Sequence, residues 1–281
     1  MGSFSRPARR RRSLAFRKTR IKGAVVSALT GACLLAACQP SAPRGSPEAS
    51  ERPHRDGPNV AAGAAVPACP NAERVAAGGG RRERGRLRAD LDGRPGAEQA
   101  WLTLTRRGGV DCRTWLVAEG NFGSTVVPIA GTEPFAFESL GLPALARAAS
   151  IDDTRGAEIV VDVTAGASTT FAAVFTLQRD TFVKVDARGP GAPSGDLFAY
   201  GGSVAHLDAV DCAGSSTVVI SRARADALRY SVTRHYFSAE GPVWRALPTR
   251  AEKGEAVPRK LAARWPEFGS FPFSSCEAPS D

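Results

Sequence analysis

The chain has 281 residues, with 37 Lys plus Arg against 28 Asp plus Glu, and a formal charge of +9. Nine of those bases fall in the first 22 residues, and no acid precedes residue 38. Taking the nine away leaves 28 bases against 28 acids for residues 38–281, so the net charge gives no support to a nucleic-acid partner.

The basic start carries Arg6, Arg9 to Arg12, Arg17, Lys18, Arg20 and Lys22, and is followed by fifteen uncharged residues, Gly23 to Ala37. A basic segment, an apolar run and small residues before a cut form a secretory signal. Fifteen residues rise about 22 Å as a helix, short of a hydrocarbon core about 30 Å thick. Leu35-Ala36-Ala37-Cys38 closes the run and resembles the lipobox of bacterial lipoproteins. The resemblance implies cleavage after residue 37 and a thioether-linked diacylglyceride on Cys38, with the protein held on the outer face of a cell membrane. Cys33 leaves with the signal segment. Arg11-Arg12-Ser13-Leu14 faintly resembles a twin-arginine signal, and the export route stays open between the two general systems.

Residues 38–67 read as the lipidated cysteine and a tether. Of residues 39–67, 18 are Pro, Ala, Gly or Ser and none is aromatic, too little apolar area to offset the entropy of ordering. As a coil the tether spans on the order of 30 Å. Residues 68–281 hold all four tryptophans and are long enough for one all-β domain. Their cysteines, Cys69, Cys112, Cys212 and Cys276, are even in number in an exported chain, which predicts two disulfides. Three pairings are possible. Cys69–Cys112 with Cys212–Cys276 is preferred, since it joins neighbours and staples both ends of the domain. No CxxC spacing suggests structural zinc.

The domain repeats itself. Residues 89–98 (ADLDGRPGAE) align with residues 149–158 (ASIDDTRGAE) at an offset of 60, identical at five of ten positions. A looser third acidic loop is expected at Leu207-Asp208-Ala209-Val210-Asp211. After the second loop, Ile159, Val161 and Val163 alternate with Val160, Asp162 and Thr164, which is strand periodicity. Strands are expected at 99–105, 113–117 and 125–129, then 159–164, 170–177 and 182–185, then 217–221, 230–237 and 243–247. Short extra strands are expected at Phe135-Ala136-Phe137 and at 197–200. Helix is confined to one or two turns over Pro143–Ala149 and another over Pro258–Arg264. The fold class is therefore all-β: three propeller-blade-like antiparallel meanders in one domain, with little helix.

Asp90-Leu91-Asp92-Gly93 followed by Glu98 and a strand resembles FG-GAP or VCBS repeats. That resemblance implies an extracytoplasmic binding or scaffold module whose acidic loops hold calcium, with Asp90, Asp92 and Glu98 as the ligands. Calcium wants six to eight oxygens at about 2.3–2.6 Å. Arg94-Pro95 and Thr154-Arg155 interrupt the acidic pattern and make a poor cage, and the same Asp side chains better suit turn capping through backbone N–H groups.

Chemistry is thinly signalled. Of three histidines, His54 lies in the tether, leaving His206 and His235. No Gly-x-Ser-x-Gly elbow and no His-Glu-x-x-His helix occurs. The expectation is a non-enzymatic envelope module that meets a protein or polymer. The alternative is an envelope hydrolase assembled from distant loops, which requires His206 or His235 to meet a nucleophile or acid in a cleft. The run Arg81-Arg82-Glu83-Arg84-Gly85-Arg86-Leu87-Arg88 reads as a solvated strand or turn, or as a contact with anionic headgroups or polymers.

Overall fold

A computed structural model describes residues 69–78, 82–107, 110–129, 141–154 and 156–276. The signal segment, Cys38, the tether and the strand expected at 135–137 lie outside the described residues. In chain order the elements are α1 (Ala72–Ala76), β1 (Arg82–Ala89), β2 (Glu98–Arg107), β3 (Val110–Gly120), β4 (Gly123–Pro128), β5 (Ala144–Ala149), β6 (Glu158–Ala165), β7 (Thr169–Gln178), β8 (Thr181–Lys184) and β9 (Asp186–Arg188). They continue with β10 (Phe198–Ser203), β11 (His206–Cys212), β12 (Thr217–Asp226), β13 (Arg229–Ser238), β14 (Val243–Ala246), β15 (Glu252–Ala256) and α2 (Pro258–Arg264).

The molecule is mostly β, as its alternating apolar pattern predicts. β1–β4 form one antiparallel sheet in chain order. The second sheet runs β5-β6-β7-β10-β11-β12-β13-β14-β9, with β8 added to β7 and β15 to β13. Within it the pairings β5–β6–β7–β8 and β11–β12–β13–β14 are two more meanders, and β10 bridges them into one continuous sheet. Neither sheet closes into a barrel.

The middle meander is covered on both sides. From β6 and β7, Ile159, Val161, Val163, Ala173 and Phe175 pack with Ala100, Leu102, Leu116 and Ala118 of the first sheet. The opposite faces of the same strands, Val160, Ala172 and Val174, join Val210, Val218, Phe237 and Trp244 of the third meander. All of these are 2% exposed or less, so β6 and β7 are buried on both faces. Phe198, Trp244 and Phe273 anchor the second core with ring centroids 5.1–6.0 Å apart, pairings that contribute about 0.5–1.5 kcal/mol each beyond their burial. The outer faces are closed by helices. α1, capped by Asn71 accepting from Arg74 N–H at 3.1 Å, lies near Trp101, Trp115 and Val117, while α2 places Leu261 among Tyr230, Val232 and Trp265.

Two local expectations are corrected. Residues 144–149 form strand β5 rather than helical turns. Pairing with β6 from Ala144↔Asp162 to Ala149↔Glu158 satisfies the backbone and overrides the helix preference of Ala, Leu and Arg. The third acidic stretch, Asp208 to Asp211, lies inside β11 rather than in a loop. Its residues alternate across the sheet and pair with β12 from His206↔Arg224 to Cys212↔Val218, and the connection comes later, at 213–216. The helix expected at Pro258–Arg264 is α2, and the arginine-rich run forms β1, where Arg86 stacks 5.4 Å over Trp101 and pairs with Glu83.

Candidate functional site

The two aligned acidic loops lie against each other at one end of the domain. In each, a buried glutamate opens the following strand and reaches back into the loop. Glu98 accepts the Leu91 N–H and Glu158 accepts the Ile151 N–H, both at 2.8 Å. The loops are joined by the Ala157 N–H donating to the Asp90 carbonyl at 2.7 Å. Gly156 permits the approach: its φ is +99°, and a Cβ there would meet the Leu91 carbonyl oxygen at 2.4 Å.

The first loop gathers the residues expected to hold a cation. Asp90, Asp92 and Glu98 each offer a carboxylate oxygen, and these lie within 4.8 Å of one another. That spacing is about twice a calcium–oxygen distance, so one ion would reach all three. Each carboxylate also spends an oxygen on the backbone: Asp90 accepts from Gly93 N–H at 2.6 Å and Asp92 from Arg94 N–H at 2.8 Å, besides the Glu98 bond. The turn-capping role therefore operates whether or not a cation binds. The remaining oxygen of Asp92, Oδ2, is buried without a hydrogen-bond partner, on a side chain only 4% exposed. Arg94 Nη1 lies 3.7 Å away and mostly in solvent.

The second loop has the same frame with the spare position filled. Asp152 Oδ1 accepts from the Thr154 N–H at 2.7 Å and from its hydroxyl, and Oδ2 accepts from Gly241 N–H at 3.1 Å. Ser150 replaces the first aspartate. Both oxygens of Asp152 are thus committed to protein, and the loop is a clamp on the β13–β14 connection. Glu158 sits in this closed setting, its pKa pushed up to about 8 by burial first and by the Asp152 charge second. The alignment had already matched Glu158 to Glu98, but only packing reveals its protonation.

The third pair of acids plays two unrelated parts. Asp211 is 2% exposed and ties down the C-terminal segment, accepting from Ser275 N–H at 2.7 Å and from the Ser275 and Ser274 hydroxyls at 2.8 and 3.2 Å. Asp208 pairs with Arg224 at 3.4 Å.

His206 meets two hydroxyls, Thr169 Oγ1 at 3.2 Å from Nε2 and Ser203 Oγ at 3.3 Å from Nδ1. Asp208 lies 4.0 Å from Nε2, outside hydrogen-bond range, and Ser203 Oγ also accepts the Ala205 N–H. This is a hairpin-turn network that sequence reasoning missed: Ser203 and His206 share one tight turn, but Thr169 reaches them only through the β7–β10–β11 register. His235 is packed beneath Gly191, whose added Cβ would fall 2.1 Å from its ring. Burial, then the Arg222 and Lys253 charges, lower its pKa. Among the described residues, neither histidine lines the hollows of 160, 240, 280 and 500 Å³.

A second buried polar network was also not foreseen. Glu267, 6% exposed, accepts from Ser221 Oγ at 2.7 Å and from Arg234 Nε at 2.9 Å, and Arg234 continues to Glu252 at 2.7 Å. It joins the segment after α2 to the third meander.

The four domain cysteines form Cys69–Cys112 and Cys212–Cys276, the preferred pairing. Among the described residues no helix is long and apolar enough to cross a membrane. Compared with models of protein families, with curated proteins and with solved structures, the chain matches none, so its residues and geometry alone carry the functional argument.

Proposed function

We propose that this chain is an exported lipoprotein, held by a lipid on Cys38 at the outer face of a cell membrane, whose β domain is a non-enzymatic binding or scaffold module of the envelope. The observation that carries the reading is the pair of disulfides, Cys69–Cys112 near the start of the domain and Cys212–Cys276 at its end. Bridges of this kind persist in oxidising compartments, which agrees with the signal segment. The shared frame of Glu98 and Glu158 supports the kinship with FG-GAP or VCBS repeats, in blades that merge rather than separate. Within that reading the loop of Asp90, Asp92 and Glu98 takes calcium, and the orphaned Asp92 Oδ2 favours this loop over the closed second one.

Mass spectrometry of the intact mature protein tests the anchor: a mass beginning at Cys38 with a diacylglyceride supports it, and an unlipidated N-terminus elsewhere overturns it. Thermal unfolding with calcium and with chelator tests the loop. Calcium at a hundred times its dissociation constant adds about 2.7 kcal/mol. Asp92→Asn removes that gain and Asp152→Asn keeps it. A calcium response unchanged by Asp92→Asn refutes the assignment.

A further inference from the structure

We propose that the paired tips of the β10–β11 and β12–β13 hairpins dock the domain on an anionic lipid surface. Val204 and Leu228, at the two tips, are 89% and 84% exposed. They are two of the three large apolar side chains most open to solvent among the described residues. The tips are locked together, with Tyr230 hydroxyl donating to the Val204 carbonyl and Ala225 N–H to the Ala205 carbonyl, both at 2.9 Å. Ala205, Ala225 and Ala227, all exposed, complete an apolar rim.

Charge around the rim is mainly positive. Arg224, Arg229, Arg259, Lys260 and Arg264 are exposed there, and Arg229, Lys260 and Arg264 line one hollow of about 500 Å³. The acids of the same region, Asp208, Glu255 and Asp226, are fewer, and the first two pair with Arg224 and Arg229 at 3.4 and 3.6 Å. A rigid apolar tip ringed by bases fits the headgroup boundary of an anionic bilayer.

The placement of the tips agrees with the anchor. β1 and β5 run side by side in one direction: Gly85 faces Leu145 near one end, and Asp90 meets Ala157 at the other. The acidic loops therefore share one end of the domain, and the turns after β6, β10 and β12, with the paired strand ends Arg107 and Val110, share the opposite end. Ser168 and Thr169 of the β6–β7 turn touch Gly201 and His206 there. Cys112, near the start of β3, lies at this end, and its disulfide brings Cys69 to it. Cys69, the first described residue, thus lies at the same end of the strands as Val204 and Leu228. The proposal rests on the lipid-anchored reading only for what delivers the domain to a membrane.

The test places an environment-sensitive fluorophore on Leu228→Cys, and in a control on Ser215→Cys at the opposite end. The domain's other thiols are bonded, and both sites are exposed. The full chain is expressed in an exporting bacterium, and the purified mature protein is mixed with phosphatidylcholine vesicles with or without phosphatidylglycerol. The expected result is a blue shift at residue 228, strengthened by phosphatidylglycerol, with none at residue 215. Val204→Asp should lower the ratio of docked to undocked tip, read from the shift at residue 228, at least about tenfold, and Arg229→Gln about fivefold. Mass spectrometry of the same sample reads the lipid on Cys38. Lipid present without a shift at residue 228 overturns the docking surface and leaves the anchor standing. A shift on added vesicles without lipid on Cys38 supports the surface and overturns the anchor. Equal shifts at both positions overturn the proposal, as does a shift driven by lipid-free envelope protein and not by vesicles.

Discussion

Glu158 makes the fold sensitive to alkali in a way one substitution isolates. The carboxyl is 2% exposed, and its pKa rises from 4.5 to about 8 through burial and the neighbouring Asp152. The folded state therefore keeps this proton to higher pH than the unfolded chain. Its contribution is full below pH 4.5, falls as pH rises through the window from 4.5 to 8, and is lost above 8. At about 1.4 kcal/mol per pH unit, ionising the group costs the fold about 5 kcal/mol across that window, and about 4 of these fall between pH 5 and 9. Glu158→Gln keeps an oxygen for the Ile151 N–H and removes the titration. Urea unfolding with disulfides intact, run on both proteins from about pH 5 to 9, gives the difference directly. The wild type should lose about 4 kcal/mol relative to the variant over that range. A difference that stays constant within about 1 kcal/mol would show that Glu158 is ionised in the fold, and the burial argument would fail.

Gly156→Ala should cost at least about 2 kcal/mol in the same assay, because the left-handed backbone and the Leu91 carbonyl both oppose a Cβ; a neutral result would mean the two loops separate freely. Replacing Cys212 and Cys276 together with Ala opens a link of 64 residues and should cost about 4 kcal/mol of unfolding free energy. Trp244→Ala, which empties the centre of the second core, should cost about 3–5 kcal/mol and lower the thermal midpoint accordingly, whereas a small effect would locate the core elsewhere.

The strands were legible because Ile159, Val161 and Val163 repeat with period two, and the disulfide pairing because two cysteines fall near each end of the domain. Pro143–Ala149 was misread because Ala, Leu and Arg favour helix locally, while the open edge of β6 recruits them as its partner. Asp208 to Asp211 was misread because acid content suggested a turn, although Ala209 and Val210 between them are buried strand residues. Of the candidate site, the grouping of Asp90, Asp92 and Glu98 was implied by the resemblance to FG-GAP or VCBS repeats. The difference between the two loops could not: Asp152 is completed by Gly241, 89 residues away, and Asp92 has no such donor. The Thr169–His206 contact likewise joins residues brought together only by sheet register, and the Glu267 network joins residues brought together only by packing of the segment after α2 on the sheet.

The double burial of β6 and β7 decides how this domain can be cut. A layer with an apolar surface on each side has no face left for water, so removing either neighbour strands one row of Val, Ala and Phe in solvent. The 60-residue period thus marks no point of scission. Fragments ending between the meanders should aggregate instead of folding.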